Sequence, residues 1–466
     1  MKKRLPVLAP LLTGVFMGGL DMAIVAPAFP AMARDLSLDA RWSVWVVTFY
    51  ALFYTMAMPL VGKISDRIGR KTVFTFSVAI FGLGSLLCGL ATSLPFLLFG
   101  RAIQAVGAGG ILPVAVAELG DVFPPEKRGS ALGLMGATMG MAMVIGPNIG
   151  GFITGRFSWH WAFLINLPIS VLILFMARGL SSGDKKTGQT VDYQGAILLS
   201  IILFSLMSGL GRLDSQNLLQ SIFSPATGPY LAASIIFFFP FLYVERKAAD
   251  PIIDLAFFRN RQLVLAFFFS IVAGLGTAAF FFIPAFSQTL LGLSTERSGN
   301  LVTPLAIAMM VAAPLGGMLL DRYGSRQVLF LGSLLAGAGM CLLAIVANSL
   351  TGFFLVLLVC GLGMGMMMGA PINYLVINEV DGGQRGVALG VLNVFRMVGT
   401  IVGPTIAGSI LASAESQLPL AIEKTLTGKA VEMGELTRVA KMVSEQGLSF
   451  GGRISPDWLN GLTPEL

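Results

Sequence analysis

A chain in which apolar runs of about 20 residues follow one another, parted by short polar breaks, has very few ways to satisfy its backbone. Such runs lie near 7–32, 42–61, 72–93, 96–120, 130–155, 160–179, 193–211, 228–244, 263–291, 298–320, 327–348, 351–376 and 387–412. Each is long enough to cross a hydrocarbon core about 30 Å thick as an α-helix rising about 1.5 Å per residue. Composition points the same way. Charged residues are 12% of the 466, against about 25% in soluble domains, too few to cover a water-facing surface. The expected fold is an all-α polytopic membrane protein of about thirteen spans.

The net charge of +7 does not indicate nucleic acid, because the bases sit in the short loops. One set of alternate loops holds Lys63, Arg67, Arg70 and Lys71, then Lys127 and Arg128, then Arg178, Lys185 and Lys186, then Arg246, Lys247, Arg259 and Arg261, then Arg322 and Arg326, then Arg385. The other set holds only Arg34, Arg41, Arg156, Arg212 and Arg297. This asymmetry predicts a cytoplasmic N-terminus in a cell (inner) membrane. Met1-Lys2-Lys3-Arg4 opens like a signal peptide, but the apolar run continues to about Met32 and reads as a first span. Cys88, Cys341 and Cys360 lie inside apolar runs and form no disulfide framework or metal site. Residues 413–466 read as a polar outer tail, with Leu436, Val439, Ala440 and Val443 at the spacing of a short amphipathic helix.

The chain repeats itself. Gly62-Lys-Ile-Ser-Asp66-Arg67-Ile-Gly69-Arg70-Lys71 follows the second run, and Gly317-Met-Leu-Leu-Asp321-Arg322-Tyr-Gly324-Ser-Arg326 follows the tenth. Arg128-Gly129-Ser-Ala131-Leu132-Gly133 pairs with Arg385-Gly386-Val-Ala388-Leu389-Gly390, and Gly146-Pro147 with Gly403-Pro404. The order and near-constant separation imply two parallel copies of a six-helix unit, 1–180 and 263–412, with 181–262 inserted as two extra helices. Only five spans of the second copy are visible. Parallel halves about a central site are a transporter plan.

These residues resemble the major facilitator superfamily. The G-x-x-x-D-R-x-G-R-K loop is similar to its signature between the second and third helices. Gly140, Gly146, Pro147, Gly150 and Gly151 resemble the fifth-helix motif of its proton-coupled exporters, and Arg101, Gln104 and Gly107 their fourth-helix motif. Leu20, Asp21 and Pro30, with Trp159-His160-Trp161, Phe163, Asn166 and Pro168, resemble the fourteen-span drug:proton antiporters. The inserted pair fits that subfamily. The pattern departs from it in two places: no fourteenth span follows the outer loop, and Ala26-Pro27 stands where the family often has Asn-Val. The resemblance implies that the Asp66–Arg70 loop latches the two halves together, with Asp321 and Arg322 a weaker twin.

The intramembrane charges carry the remaining expectations. A carboxylate at the depth of Asp21 costs roughly 2.5–3.5 kcal/mol on insertion scales, so it either couples a proton or substrate or makes a helix–helix hydrogen bond that sets packing. Arg101 falls at a similar depth and either serves the cavity beside Asp21 or snorkels outward. Gln104, one turn on, is a candidate cavity liner. Arg396 aligns with Met139 in the repeat, so the fold does not demand a base there. It binds an anionic group of substrate or lipid, or has a structural partner. Glu118 reads as a solvated helix end. The paired Gly140, Gly146, Pro147, Gly150 and Gly403, Pro404 are hinge or contact residues. Met364, Met366, Met367 and Met368 offer packing or an adaptable wall. No phosphate loop, metal cluster or catalytic triad is present, and His160 is the only histidine. No cofactor and no enzyme activity are expected. The expected activity is proton-coupled efflux of amphipathic or cationic compounds. A transporter of one metabolite or lipid is the first alternative. The second is a receptor or assembly partner that docks an outer-facing protein through 413–466.

Overall fold

The computed structural model describes residues 5–36, 40–179, 192–214, 217–279, 283, 302–346 and 349–426. Among them there is no strand. The helices are α1 (Leu5–Asp35), α2 (Ala40–Ile68), α3 (Arg70–Gly89), α4 (Leu94–Val122), α5 (Pro125–Arg156), α6 (Trp161–Leu164), α7 (Asn166–Met176), α8 (Tyr193–Leu210), α9 (Leu218–Ile222) and α10 (Gly228–Lys247). They continue as α11 (Arg261–Ala279), α12 (Val302–Tyr323), α13 (Ser325–Val346), α14 (Leu350–Met368), α15 (Pro371–Glu379) and α16 (Arg385–Leu426). Twelve described stretches are long and apolar enough to cross a membrane, and a shorter apolar helix, Arg261–Thr277, stands at the ninth predicted run.

Local chemistry sets the breaks. Gly69 and Gly324 have φ of 97° and 84° and turn the chain between α2 and α3 and between α12 and α13. An L side chain is strained there, so both copies of the loop motif need glycine at this position. Ser349 caps α14 by accepting from the Gly352 N–H at 3.1 Å, and Asp192 caps α8 through the Gly195 N–H at 2.8 Å. Two predicted spans are broken helices. The sixth turns at Ile165, just before Asn166-Leu-Pro168, and the twelfth stops at Met368 and restarts at Pro371, where a proline is tolerated because the first helical turn needs no donor. The polar tail expected from 413 instead begins as a continuation of α16 to Leu426. The amphipathic segment around Leu436–Val443 lies outside the described residues.

The repeat is visible in the packing. α3 packs on α4 and α13 on α14, while α1 packs on α5 and α11 on α16. Two further contacts cross between the copies, α5 with α12 and α2 with α16. α8 and α10 pair with each other, and α8 rests on α2. Between helices in lipid the gain comes from close packing and hydrogen bonds, since lipid tails are as apolar as leucine. Small residues therefore mark the contact lines. A Cβ on Gly62 would collide with the Gly386 carbonyl, and one on Gly317 with that of Gly129. Large apolar side chains such as Phe76, Phe175, Phe239 and Phe330 are exposed on the outer surface, as lipid contact requires.

Candidate functional site

Inside the first bundle α1, α4 and α7 meet at one carboxylate, and α3 joins them through a hydrogen bond to Gln104. Asp21 of α1 is fully buried. Its Oδ2 accepts from Arg101 of α4 at 3.0 Å, and its Oδ1 accepts from Gln104 Nε2 at 2.8 Å and from Asn166 Nδ2 of α7 at 3.0 Å. Gln104 also accepts from Arg101 at 2.7 Å and donates to Ser85 Oγ of α3 at 2.8 Å. The Arg101 guanidinium lies 3.9 Å from the centre of the Tyr50 ring. A buried ion pair is tolerable when its remaining donors and acceptors are met, and here both carboxylate oxygens are. Protonating Asp21 would remove the charge that holds Arg101, and Arg101 cannot release a proton in compensation.

Sequence reasoning placed Asp21 and Arg101 at one depth, and they meet. It missed Ser85 and Tyr50, and it named Asn166 without its partner. It also put Gln104 on a cavity wall. In the structure Gln104 is sealed, with 0% exposure, because Gly84 of α3 packs directly on its backbone. A small cavity of about 20 Å³ nearby is lined by Gly14, Val15, Gly18, Gly19, Met22, Tyr50, Tyr54, Ala108, Ile111, Leu112 and Met139. Asp21, Arg101 and Gln104 do not reach it, but the Tyr50 ring touches both pocket and guanidinium. Arg396 of α16 has Tyr54 as its titratable neighbour and does not line this cavity. Its Nε and one terminal nitrogen are buried, with no acceptor among the described residues.

At the end bearing the base-rich loops, the two repeated motifs interlock crosswise. Asp66 accepts the N–H groups of Gly386 and Val387, at 3.0 Å each, at the start of α16. Asp321 accepts those of Gly129 and Ser130 near the start of α5, at 2.7 and 2.8 Å, and also the Ser130 hydroxyl. Asp66 thus satisfies orphan donors in the first turn of α16, and Asp321 accepts from the fifth and sixth residues of α5, each helix belonging to the other copy. Arg70 lies 3.6 Å from Asp66, reaches Asp121 of α4 at 2.6 Å and donates to the Gly382 carbonyl at 2.8 Å. Arg385 also pairs with Asp121. Its repeat twin Arg128 bonds Asn378 at 2.6 Å. Arg322 is stacked 5.2 Å from the centre of the Tyr323 ring.

Arg67 turns away from the interlock. With Lys63 it grips Asp250, which follows the inserted helix α10. Burial raises the Asp250 carboxyl, but the hydrogen bonds and charges of Lys63 and Arg67 outweigh it, and the group stays below the usual carboxylate range. Nothing in the sequence marked Asp250. Asp254, further along the same linker, accepts from Gln384 at 3.2 Å. The expected hinge residues are contact residues in this state. Gly146 and Gly150 press on Ala23 and Ile24 of α1, Gly140 on Met310 of α12, and Gly403 is buried. α5 and α16 run unbroken through Pro147 and Pro404.

Comparison with known proteins bears on the whole arrangement. Residues 11–404 match the model of the Major Facilitator Superfamily. The chain is 36% identical over 440 residues to the uncharacterized MFS-type transporter YfiU of Bacillus subtilis (strain 168), covering 93% of this chain and 84% of the relative. It is 34% identical over 412 residues to multidrug resistance protein 3 of the same organism, covering 87% of this chain and 79% of that one. Among solved structures, the proton:xylose symporter XylE superposes with a TM-score of 0.62 at 14% identity, over 88% of this chain and 94% of that one. At that identity the likeness shows the fold.

Proposed function

Because the chain belongs to the major facilitator superfamily, we propose that it exports amphipathic drug-like compounds across the cell membrane in exchange for protons, by alternating access. The observation that carries this reading is the Asp21 cluster, a sealed carboxylate whose only cation among the described residues is an arginine 3.0 Å away. Proton entry at Asp21 frees Arg101 and loosens α1 from α4, and proton loss restores them. The halves 1–180 and 263–412 rock against each other across the contacts of α2 with α16 and α5 with α12, with 181–262 as an attached pair. The base-rich end faces the cytoplasm, with the N-terminus, and the crossed Asp66 and Asp321 contacts latch it shut. Two relatives, 34% and 32% identical, are named multidrug resistance protein 3 and multidrug transporter protein MdtP, which supports the drug-like substrate class. Asp21 is enclosed by three protein donors, which leaves no access for a bulky substrate cation, and the substrate's charge is left to other residues. Transport of a single metabolite or lipid is the second reading. Arg396 favours it where the substrate is anionic and the profile narrow.

The test is dye efflux from efflux-deficient bacterial cells expressing the wild type or Asp21→Asn at equal membrane level, with and without an uncoupler. Efflux that the uncoupler stops and that falls at least roughly ten-fold in Asp21→Asn, as for loss of a charge-assisted bond, agrees with the proposal. Uncoupler-sensitive efflux undiminished in Asp21→Asn removes Asp21 from the coupling step.

A further inference from the structure

Arg396 is an intramembrane charge that the Asp21 cluster and the latches leave unused. Its repeat twin Met139 lines the small cavity, and so does its titratable neighbour Tyr54 on α2, while Arg396 itself is not among the lining residues. Its backbone is fixed from behind, because Gly274 of α11 packs on the Arg396 carbonyl and the adjacent Phe395 stacks on Phe267 with ring centres 5.0 Å apart. The side chain cannot neutralise itself, since a guanidinium keeps its proton in proteins. A buried charge of this kind needs an anion. The interior carboxylate, Asp21, already faces three protein donors, and no described carboxylate pairs with Arg396.

The two bare nitrogens, Nε and Nη2, form one edge of the guanidinium. That edge presents two parallel N–H groups, the arrangement that takes two oxygens of one oxyanion. Met22, Ile111, Leu112 and Met139 supply an apolar wall, and the Tyr50 hydroxyl is a further donor without a partner among the described residues. We infer that Arg396, near Tyr54 and the small cavity that Tyr54 lines, binds the oxyanion of an amphipathic organic anion, a carboxylate, sulfonate or phosphate ester, as the charged part of the substrate site. The proposal rests on the efflux reading for the direction of movement, and its test reads binding alone.

The full chain, in nanodiscs of phosphatidylcholine, is titrated with 1-naphthalenesulfonate and with uncharged 1-naphthalenemethanol, and thermal unfolding is followed by circular dichroism. The sulfonate raises the wild-type Tm well beyond the alcohol. In Arg396→Gln the apparent affinity for the sulfonate falls roughly 10- to 100-fold, as for loss of a bidentate charged contact, while the response to the alcohol stays. Arg396→Lys keeps part of the sulfonate response, as a point charge without the fork. Without ligand, Arg396→Gln unfolds at or above the wild-type Tm, because it removes an uncompensated buried charge. A phosphatidylglycerol nanodisc that raises the wild-type Tm and blunts the sulfonate response assigns the oxyanion to a lipid headgroup, whereas an unchanged response assigns it to a free solute. Equal responses of the wild type to sulfonate and alcohol would overturn the proposal. So would a full sulfonate response in Arg396→Gln, or a ligand-free Arg396→Gln that is less stable than wild type. Failure of dye efflux in cells would remove the export reading and leave this binding result standing.

Discussion

Asp66 and Asp321 hold equivalent places in two copies of one motif, and each accepts N–H groups near the start of a helix from the other copy, yet their surroundings differ in charge. Asp66 has Arg70 at 3.6 Å, and Arg70 shares Asp121 with Arg385. Asp321 accepts from two backbone amides and a hydroxyl, and around it the repeat puts Asn378 where the first copy has Asp121. The backbone geometry is common to both and belongs to the fold. The charge belongs to one copy alone. Resemblance alone led to the expectation that the second loop would be the weaker twin. By hydrogen bonds to the aspartate it is not weaker, and what it lacks is the ionic network.

That contrast can be broken in graded steps. Cysteine at Ser65, which is 1% exposed in the closed end, reports opening by its alkylation rate, in a Cys341→Ser background because Cys88 and Cys360 are buried. The largest effect is expected of Asp66→Ala, which removes two charge-assisted bonds and a neighbour of Arg70. A loss of about 3 kcal/mol of closure gives on the order of 100-fold faster alkylation. Asp321→Ala removes its acceptor from near the start of α5 without freeing a guanidinium, and about 2 kcal/mol gives roughly 30-fold. Equal rates in the two variants would show that the ionic network adds nothing. Asn378→Asp gives the second copy the charge of the first. Pairing with Arg128 is expected to slow alkylation by a few-fold, for about 0.5–1 kcal/mol at a partly exposed site.

The smallest effect concerns the inserted pair. The Asp250 carboxyl lies below its ordinary 3.8, so its contribution to docking is complete above that value and is lost only as pH falls through the lower folded one. Alkylation of a cysteine at Ile253, which is buried at 7% exposure, should therefore be flat in relative rate between wild type and Asp250→Asn across pH 5 to 8, with the variant uniformly faster. A gap that opens only above pH 6 would contradict the assigned state.

Much of this was legible in the chain. Apolar length gave the spans, and the repeat gave the equivalence of Gly62 with Gly317 and of Gly129 with Gly386. What the repeat could not give is that these two motifs dock on each other, because equivalence relates copies while docking relates different motifs across the interface. Asp121 and Asp250 were overlooked since an acid at a helix end or in a linker is ordinarily solvated. Ser85 and Gln104 carry no charge, so nothing in sequence distinguishes a cluster member from a pocket wall. The breaks at Ile165 and Gly369 were signalled by Pro168 and Pro371, but a run of unbroken apolarity hid them. The length of α16 was missed because helical hydrogen bonding continues past the point where apolarity stops.

The central claim is that substrate crosses only if the latched end opens. Arg128→Cys with Asn378→Cys, in the Cys341→Ser background, replaces a contact of 2.6 Å between the copies and can be joined by a short bis-methanethiosulfonate reagent. The account predicts that dye efflux in these cells stops when the cysteines are bridged and returns on reduction. Efflux continuing at the unbridged rate with the bridge shown intact would contradict it.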